Sequence, residues 1–67
     1  MKKRIEILDF VLHLGNDLSS GEPYYDVYEC DMWIGELYDM SFQHIDEETD
    51  KYVIDEDKLL SLIDGMR

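Results

Sequence analysis

The centre of the chain, from Tyr24 to Phe42, reads YYDVYECDMWIGELYDMSF. It holds six of the eight aromatic residues and interleaves them with five acids, without any Lys or Arg. Aromatic side chains bury large areas, while Tyr and Trp keep a polar end that can face water or a partner. This stretch therefore predicts hydrophobic core, partner-binding surface or both, and the segments on either side must pack around it.

Two segments in and around this stretch are rich in β-forming residues. Residues 24–29 and 32–38 are expected to pair as strands across a tight turn at Cys30-Asp31. The apolar residues at 33–45 also fit helical spacing, so a helix at about 33–45 is the alternative. We favour strands because a clearer hairpin follows, in which 41–45 and 51–54 flank a polar loop.

The N-terminal segment predicts an amphipathic helix over residues 3–18. Glu6, Asp9, His13 and Asn16 draw a polar stripe at helical spacing, and apolar residues cover the rest of the surface. Because the apolar arc is wide, we expect this helix to lie against a sheet. The run SSGEP that follows would end it, since Gly suits a C-terminal cap and Pro prevents continuation.

The C-terminal segment predicts a short helix. Asp55 is the expected N-cap, and Glu56 and Asp57 follow in the first turn, where the helix dipole favours negative charge. The whole sequence thus predicts a single α+β domain, residues 1–67, with an N-terminal amphipathic helix, an antiparallel sheet of three to four strands and a short C-terminal helix. The alternative is a mostly α fold.

The charge of this 67-residue chain is strongly negative. Seventeen acids against six bases give a formal net charge of -11, and between Ile5 and Asp50 there are 13 acids and no Lys or Arg. Such a field repels nucleic acid and anionic membranes and attracts basic partners. A single cysteine fits a reducing compartment, and no apolar run could span a bilayer, so a soluble, cytoplasmic protein is expected.

The sequence carries no motif for catalysis or for a cofactor. Spacing does not place Cys30 near either histidine, and the burial habits of cysteine predict a small buried side chain. Segment 46–57 is rich in carboxylates, but Lys51 and Asp57 stand where a calcium-binding EF-hand loop needs glycine and glutamate. We expect no enzyme activity, no bound metal and no cofactor.

The density of acids suggests that they imitate phosphates. A compact chain of this length has a diameter of roughly 28 Å, and duplex DNA of that length carries about 16 charges. The 17 acids are of comparable density. Direct nucleic-acid binding is disfavoured, because it needs clustered bases. In size and charge alone, the chain resembles small acidic inhibitors made by phages and mobile elements, including DNA mimics, repair-enzyme inhibitors and anti-CRISPR proteins.

The leading hypothesis is a small acidic protein that blocks the basic, nucleic-acid-binding surface of a partner protein. Trp33 is expected in the core, whereas the five tyrosines exceed what so small a core can bury. The predicted partner-binding residues are Asp26, Glu29, Asp31, Glu36, Asp39, Asp46, Glu47 and Glu48, with Tyr25 and Tyr28 as aromatic anchors. The alternative is an accessory module or homodimer that docks through a sheet edge or the apolar, Tyr-rich surface of residues 24–42.

Overall fold

The computed structural model describes all 67 residues and contains six β-strands and one α-helix. In chain order they are β1 (Arg4–Ile7), β2 (Phe10–Asn16), β3 (Pro23–Glu29), β4 (Met32–Leu37), β5 (Gln43–Asp46), β6 (Lys51–Ile54) and α1 (Glu56–Met66). Strands β1 to β4 form an antiparallel meander in the order β1-β2-β3-β4, and β5 and β6 form a separate two-stranded antiparallel sheet. The molecule is flat, with extents of 36 × 31 × 18 Å.

The predicted N-terminal helix over residues 3–18 is wrong, and the fold prediction that contained it is wrong with it. Residues 4–16 form the β1–β2 hairpin, in which Ile7 pairs with Phe10 across the turn at Leu8-Asp9. The buried side chains of this hairpin are Ile5, Ile7, Phe10 and Leu12. They recur in steps of two on either side of the turn, which is the period of a strand. The apparent helical stripe combined two outward-facing residues, Glu6 and His13, with a turn residue, Asp9, and with Asn16 at the exposed end of β2.

The expected strands at 24–29 and 32–38 are confirmed as β3 and β4, joined by a tight turn at Cys30-Asp31. Cys30 has φ 48° and Asp31 has φ 66°. Positive φ at both positions defines a type I′ turn, whose twist matches that of a β-hairpin and which favours Asn-Gly. Cys30 lies at this turn and is exposed, so the expectation of a buried thiol is wrong.

A bulge in β4 changes which residues face the helix. The register shifts by one residue after Val27, which leaves Ile34 as the extra residue on β4. At Gly35, which follows, a Cβ atom would lie 2.9 Å from Cε of Met66. The glycine therefore allows the C-terminal end of α1 to approach β4 closely.

A helix at about 33–45 is also wrong, and the mostly α alternative with it. This segment contains most of β4, the loop 38–42 and most of β5. Phe42, at the end of the loop, is fully buried, so its apolar character reflects core packing and not helical periodicity. The second expected hairpin is confirmed, because β5 pairs with β6 around the polar residues 47–50.

Helix α1 begins where the sequence predicts. Asp55 is the N-cap, and its Oδ1 accepts a hydrogen bond from the backbone amide of Lys58 at 3.1 Å. Leu59 and Ile63, one turn apart, are buried, and their stripe packs the helix on one face of the meander. This eleven-residue helix lacks the length and the apolar character that crossing a membrane requires.

The core is a layer of side chains between the meander and the elements that cover it. Its ten buried members are Ile5, Ile7, Phe10, Leu12, Tyr25, Val27, Leu37, Phe42, Leu59 and Ile63. The hydroxyl of Tyr25 donates to the carbonyl of Lys2 at 2.6 Å and accepts from Nε2 of Gln43 at 3.0 Å. Burial raises the pKa of Tyr25, so the hydroxyl keeps the proton that it donates. One side chain of β3 thereby contacts the segment before β1 and the first residue of β5.

Replacing Tyr25 with Phe should destabilise the fold without changing its shape. The Tyr25→Phe variant removes the partner of the Lys2 carbonyl and leaves Nε2 of Gln43 only the weak contact with Sδ of Met40, at 3.7 Å. Polar groups that lose their partner in a buried or partly buried place cost about 1–3 kcal/mol. Urea unfolding followed by circular dichroism measures the difference. Tyr28→Phe is the matched control, because the Tyr28 side chain is only half-buried. Equal stability of the two variants would contradict this role for Tyr25.

Replacing the β3–β4 turn with Asn-Gly should stabilise the protein. A left-handed conformation costs most L-residues roughly 1–2 kcal/mol, so Cys30→Asn with Asp31→Gly should raise the free energy of unfolding by about 1 kcal/mol. Urea unfolding again provides the measurement. Glu47→Asn with Glu48→Gly is the control, since neither residue has positive φ. A lower stability of the variant at residues 30 and 31 would argue against the type I′ turn.

Candidate functional site

The side of the four-stranded sheet opposite the core is uncovered. Leu12 and Val27 point into the core and are fully buried, so the alternate residues of each strand point the other way. We call that side the open face. Its residues are Arg4, Glu6, Val11, His13, Gly15, Tyr24, Asp26, Tyr28, Trp33 and Glu36. All of them are exposed or half-buried.

The strand registers arrange the open face in rows that cross all four strands. One row contains Arg4, His13, Asp26 and Glu36. The adjacent row contains Glu6, Val11, Tyr28 and Trp33. On β3 and β4, therefore, two carboxylates in one row lie beside two aromatic rings in the next.

Asp26 and Glu36 are direct cross-strand partners. The amide of Cys30 donates to the carbonyl of Asp9 at 3.1 Å, so Cys30 directs its backbone groups toward the β2 side. Successive residues of a strand direct their backbone groups to opposite neighbours, so Asp26, four residues earlier, also bonds to β2. Its pair with Glu36 is thus of the non-hydrogen-bonded kind, in which Cα atoms are about 4.5 Å apart and side chains are closest. Like charges in direct opposition are destabilising. Neither carboxylate has a salt-bridge partner in the chain.

Trp33 lies on the open face, and the expectation of a core tryptophan is wrong. The residue is 54% exposed, because the hairpin register places it opposite Tyr28 and not on the side of Val27. The indole Nε1–H donates a hydrogen bond to Oδ1 of Asp26 at 3.1 Å. This bond holds the ring beside the Asp26–Glu36 pair while about half of the side chain remains in contact with solvent.

Tyr28 is fixed from its other side by His13. The two rings pack edge to face, with centroids 5.8 Å apart and planes at 77°, a geometry that aromatic pairs favour. His13 is exposed, but on strand β2 and not on the polar side of a helix. Tyr28 and Trp33 are therefore positioned rings on an accessible surface.

A second aromatic group lies toward the opposite end of the open face. The ring centroids of Tyr24 and Tyr38 are 5.3 Å apart, and the Tyr38 hydroxyl donates to Oδ2 of Asp17 at 3.0 Å. That hydrogen bond is the main reason why the pKa of Tyr38 rises to about 12. The charge of Asp26 is the main cause that raises the pKa of Tyr24. Neighbouring carboxylates contribute to both shifts, as the main cause for Tyr24 and as a smaller one for Tyr38.

The structure brings together only part of the predicted partner-binding set. Asp26, Glu36 and Tyr28 are neighbours on the open face, and Asp31 lies in the turn at its edge. Tyr25 is fully buried, so its assignment as an exposed anchor is wrong. The reason is strand alternation, since adjacent residues of β3 point to opposite sides of the sheet.

The remaining predicted residues lie elsewhere. Glu29 forms an ion pair with Arg67, beyond the end of α1, on the core side of the sheet. Asp39 follows β4 and accepts hydrogen bonds from the amide and hydroxyl of Ser41, which lower its pKa. Residues 46–48 belong to the end of β5 and its turn. None of these acids is a residue of the open face on which the Asp26–Glu36 pair lies.

The predicted partner-binding set did not include four side chains of this region, which are His13, Tyr24, Trp33 and Tyr38, although some of the tyrosines in residues 24–38 were expected to be exposed. For Trp33 a signal was present, because a two-residue turn at Cys30-Asp31 forces residues 28 and 33 onto the same side. His13 and Tyr24 could be placed only by the β1–β2 hairpin and its register with β3.

The Asp17 carboxyl should titrate at about pH 2, below its ordinary pKa of 3.8, because Ser19 and Tyr38 donate hydrogen bonds to its charged form. A lowered pKa in the folded state contributes stability above about pH 4 that is lost as the pH falls toward 2. Carboxyl chemical shifts from an NMR titration measure it. Ser19→Ala should raise the Asp17 pKa, whereas Ser61→Ala, in α1, should not. An unchanged titration in Ser19→Ala would contradict this network.

The chemistry that the open face offers is recognition of cations by carboxylates and aromatic rings. No group of three or more His, Cys, Asp or Glu side chains in the structure is arranged to hold a metal ion. Comparison of the chain with protein-family models, with curated proteins and with solved structures finds no match.

Proposed function

We propose that this protein binds a basic partner protein through the open face and thereby blocks the surface with which that partner binds nucleic acid. The observation that supports the proposal is the Asp26–Glu36 pair, held without a counter-ion beside two positioned rings on an uncovered sheet. This function consists of binding and inhibition, without catalysis.

The paired carboxylates supply the first part of the interaction. In the free protein their mutual repulsion is unfavourable, and water is their main source of solvation. A Lys or Arg of a partner that inserts between Asp26 and Glu36 removes the repulsion and forms charge-assisted hydrogen bonds, which are stronger than neutral ones. The binding free energy thus includes the removal of the repulsion between Asp26 and Glu36 that is present in the free protein.

The aromatic rings supply the second part. A guanidinium or ammonium group over an indole or phenol ring is attracted by the electron density of the ring face, by about 0.5–2 kcal/mol. Trp33 is half-exposed and already hydrogen-bonded to Asp26 through its edge. Because the ring is positioned before binding, little side-chain entropy remains to be lost when a partner docks.

The surrounding charges favour the same kind of partner. Arg4 is the only base among the residues of the open face, and it forms an ion pair with Glu6. Acids also stand at the ends of the strands, with Asp31 in the β3–β4 turn and Asp17 bonded to Tyr38. A partner with a basic surface meets complementary charge at the centre of the face and at its ends.

The comparison with nucleic acid rests on charge density. The longest extent of the molecule is 36 Å, and duplex DNA of that length carries roughly 21 phosphates at one per ~1.7 Å. The chain has 17 acids. A protein surface that neutralises phosphates with Lys and Arg would therefore meet a similar number of charges, and the exposed rings would meet the side chains on which bases stack.

Neutralising the pair on the open face should weaken binding selectively. Asp26→Asn with Glu36→Gln should lower affinity for the partner on the order of 10- to 100-fold, because it removes two charged hydrogen-bonding groups. Glu47→Gln with Glu48→Gln removes the same charge from the β5–β6 turn and should change affinity less than about threefold. Partners are captured with tagged protein from a lysate of cells that carry the gene. Affinities are then measured with the purified partner by following Trp33 fluorescence.

Two further measurements separate this function from other kinds of binding. The captured protein should bind nucleic acid, and a short DNA duplex should displace it from the open face. The double variant at residues 26 and 36 should unfold at no lower urea concentration than the wild type, since it relieves repulsion. Equal loss of affinity in both double variants would indicate non-specific attraction. A partner that does not bind nucleic acid and is not displaced by the DNA duplex would contradict the proposal.

A further inference from the structure

We propose that two copies of this chain associate through the free edges of their β1 strands, as an antiparallel two-fold dimer. β1 is a terminal strand of the meander and pairs only with β2. Its other edge borders an open groove of about 330 Å³ that is lined by Lys2, Arg4, Ile5, Glu6, Ile54 and Glu56. This edge borders the open face, on which the side chains of Arg4 and Glu6 lie, but the inference rests on the free backbone groups of β1 and does not depend on the proposed function.

The backbone of β1 leaves two residues without strand partners. The amide of Leu14 donates to the carbonyl of Lys3 at 2.9 Å, and these residues are in register with the β1–β2 pairs. Hydrogen-bonded pairs alternate in an antiparallel ladder, so Lys3, Ile5 and Ile7 bond to β2. The amides and carbonyls of Arg4 and Glu6 consequently point into the groove. Such an unpaired edge is a template for another strand.

The charges of β1 select one register for a second copy. The free backbone groups of the two copies meet only where Arg4 or Glu6 of one copy lies opposite Arg4 or Glu6 of the other. A shift by one residue would misalign these groups, and it would also turn the side chains of the second copy to the wrong side of the sheet. Pairing each residue with its own copy places like charges in opposition, which is unfavourable. Pairing Arg4 with Glu6 of the second copy forms two opposite-charge pairs about the two-fold axis.

The same register joins apolar surface on the core side. The two-fold axis passes between the two copies of Ile5, which become direct cross-strand neighbours. Ile54 lines the groove below them and packs against the core. The contact therefore combines backbone hydrogen bonds, two ion pairs and an apolar centre.

The local charge also makes this edge the favoured place for self-association. Two chains with a net charge of -11 repel each other over most of their surfaces. Three of the six bases, Lys2, Lys3 and Arg4, lie at β1, whereas the groove contains only the acids Glu6 and Glu56. Because each copy contributes a four-residue strand, the interface is smaller than in tight dimers, and we expect the dimer at high protein concentration.

Charge-swapped variants test the register directly. Sedimentation over a range of protein concentrations should show a monomer–dimer equilibrium for the wild type. Arg4→Glu alone and Glu6→Arg alone should each weaken association at least about tenfold, because each creates two like-charge pairs. The double variant, Arg4→Glu with Glu6→Arg, should dimerise again. Lys51→Glu changes the net charge as Arg4→Glu does but lies on β6 and should leave association unchanged.

A mixture of the two single variants provides the decisive measurement. In the mixed dimer, every residue at positions 4 and 6 meets an opposite charge, so the mixture should associate although neither variant does so alone. Loss of the Arg4–Glu6 ion pair within each chain cannot explain such a result. Each variant should remain folded, since exposed ion pairs contribute little stability.

Hydrogen exchange gives a second, independent readout on the wild type. The amides of Arg4 and Glu6 should become more protected as concentration rises, while the amide of Ile5, bonded to β2, should be protected throughout. The proposal is overturned by a wild type that stays monomeric at all concentrations, by single variants that dimerise as the wild type does, or by a mixture that fails to associate.

Discussion

The structure depends on the burial of one layer of side chains under one helix and one loop. Leu59 and Ile63 of α1, together with Phe42, cover Leu12, Tyr25 and Val27 of the meander, and these six side chains are the most completely buried in the chain. The seven elements of the structure leave the other side of the four-stranded sheet uncovered. Since domains of this size bury a smaller fraction of their surface than larger domains do, an uncovered sheet face is consistent with the way the core is built.

Exposed aromatic rings on an uncovered sheet face can cause non-specific association between proteins. On the open face, contacts at the edges of the rings limit the apolar surface that is free to associate. Trp33 is bonded to Asp26, Tyr38 is bonded to Asp17, and Tyr28 packs against His13. The rings therefore present oriented faces among charges instead of a loose apolar patch. Two carboxylates of the same face, Asp26 and Glu36, are direct cross-strand partners without a counter-ion, and like charges in that position are generally unfavourable. The proposed recognition of a basic partner would account for an arrangement that adds no stability to so small a core.

How much of this could be read from the sequence depends on whether local signals or tertiary contacts decide each element. The Cys30-Asp31 turn, the second hairpin and the Asp55 cap carry local signals, and the structure contains all three. The N-terminal segment is ambiguous, because its eight apolar residues within 5–18 are spaced in a way that fits an amphipathic helix as well as a β-hairpin. The deciding contact, the pairing of Leu12 with Val27 in register, is long-range and leaves no local signal. The exposure of Trp33 followed from turn geometry, but a general preference for burying tryptophan outweighed it.

The distribution of charge along the chain connects the two proposed surfaces. The bases at residues 2–4 lie at the outer edge of the meander, and the base-free run from Ile5 to Asp50 supplies the rest of the sheet. Bases on the open face would repel a basic partner, and a β1 edge without the bases at residues 2–4 would add to the repulsion between two acidic copies. A two-fold axis perpendicular to the sheet places both open faces on the same side, so that the row containing Trp33 in one copy continues into the row containing Asp26 in the other. A basic partner with an extended binding groove would then contact two Asp26–Glu36 pairs at once, and simultaneous contact strengthens binding without any new kind of interaction.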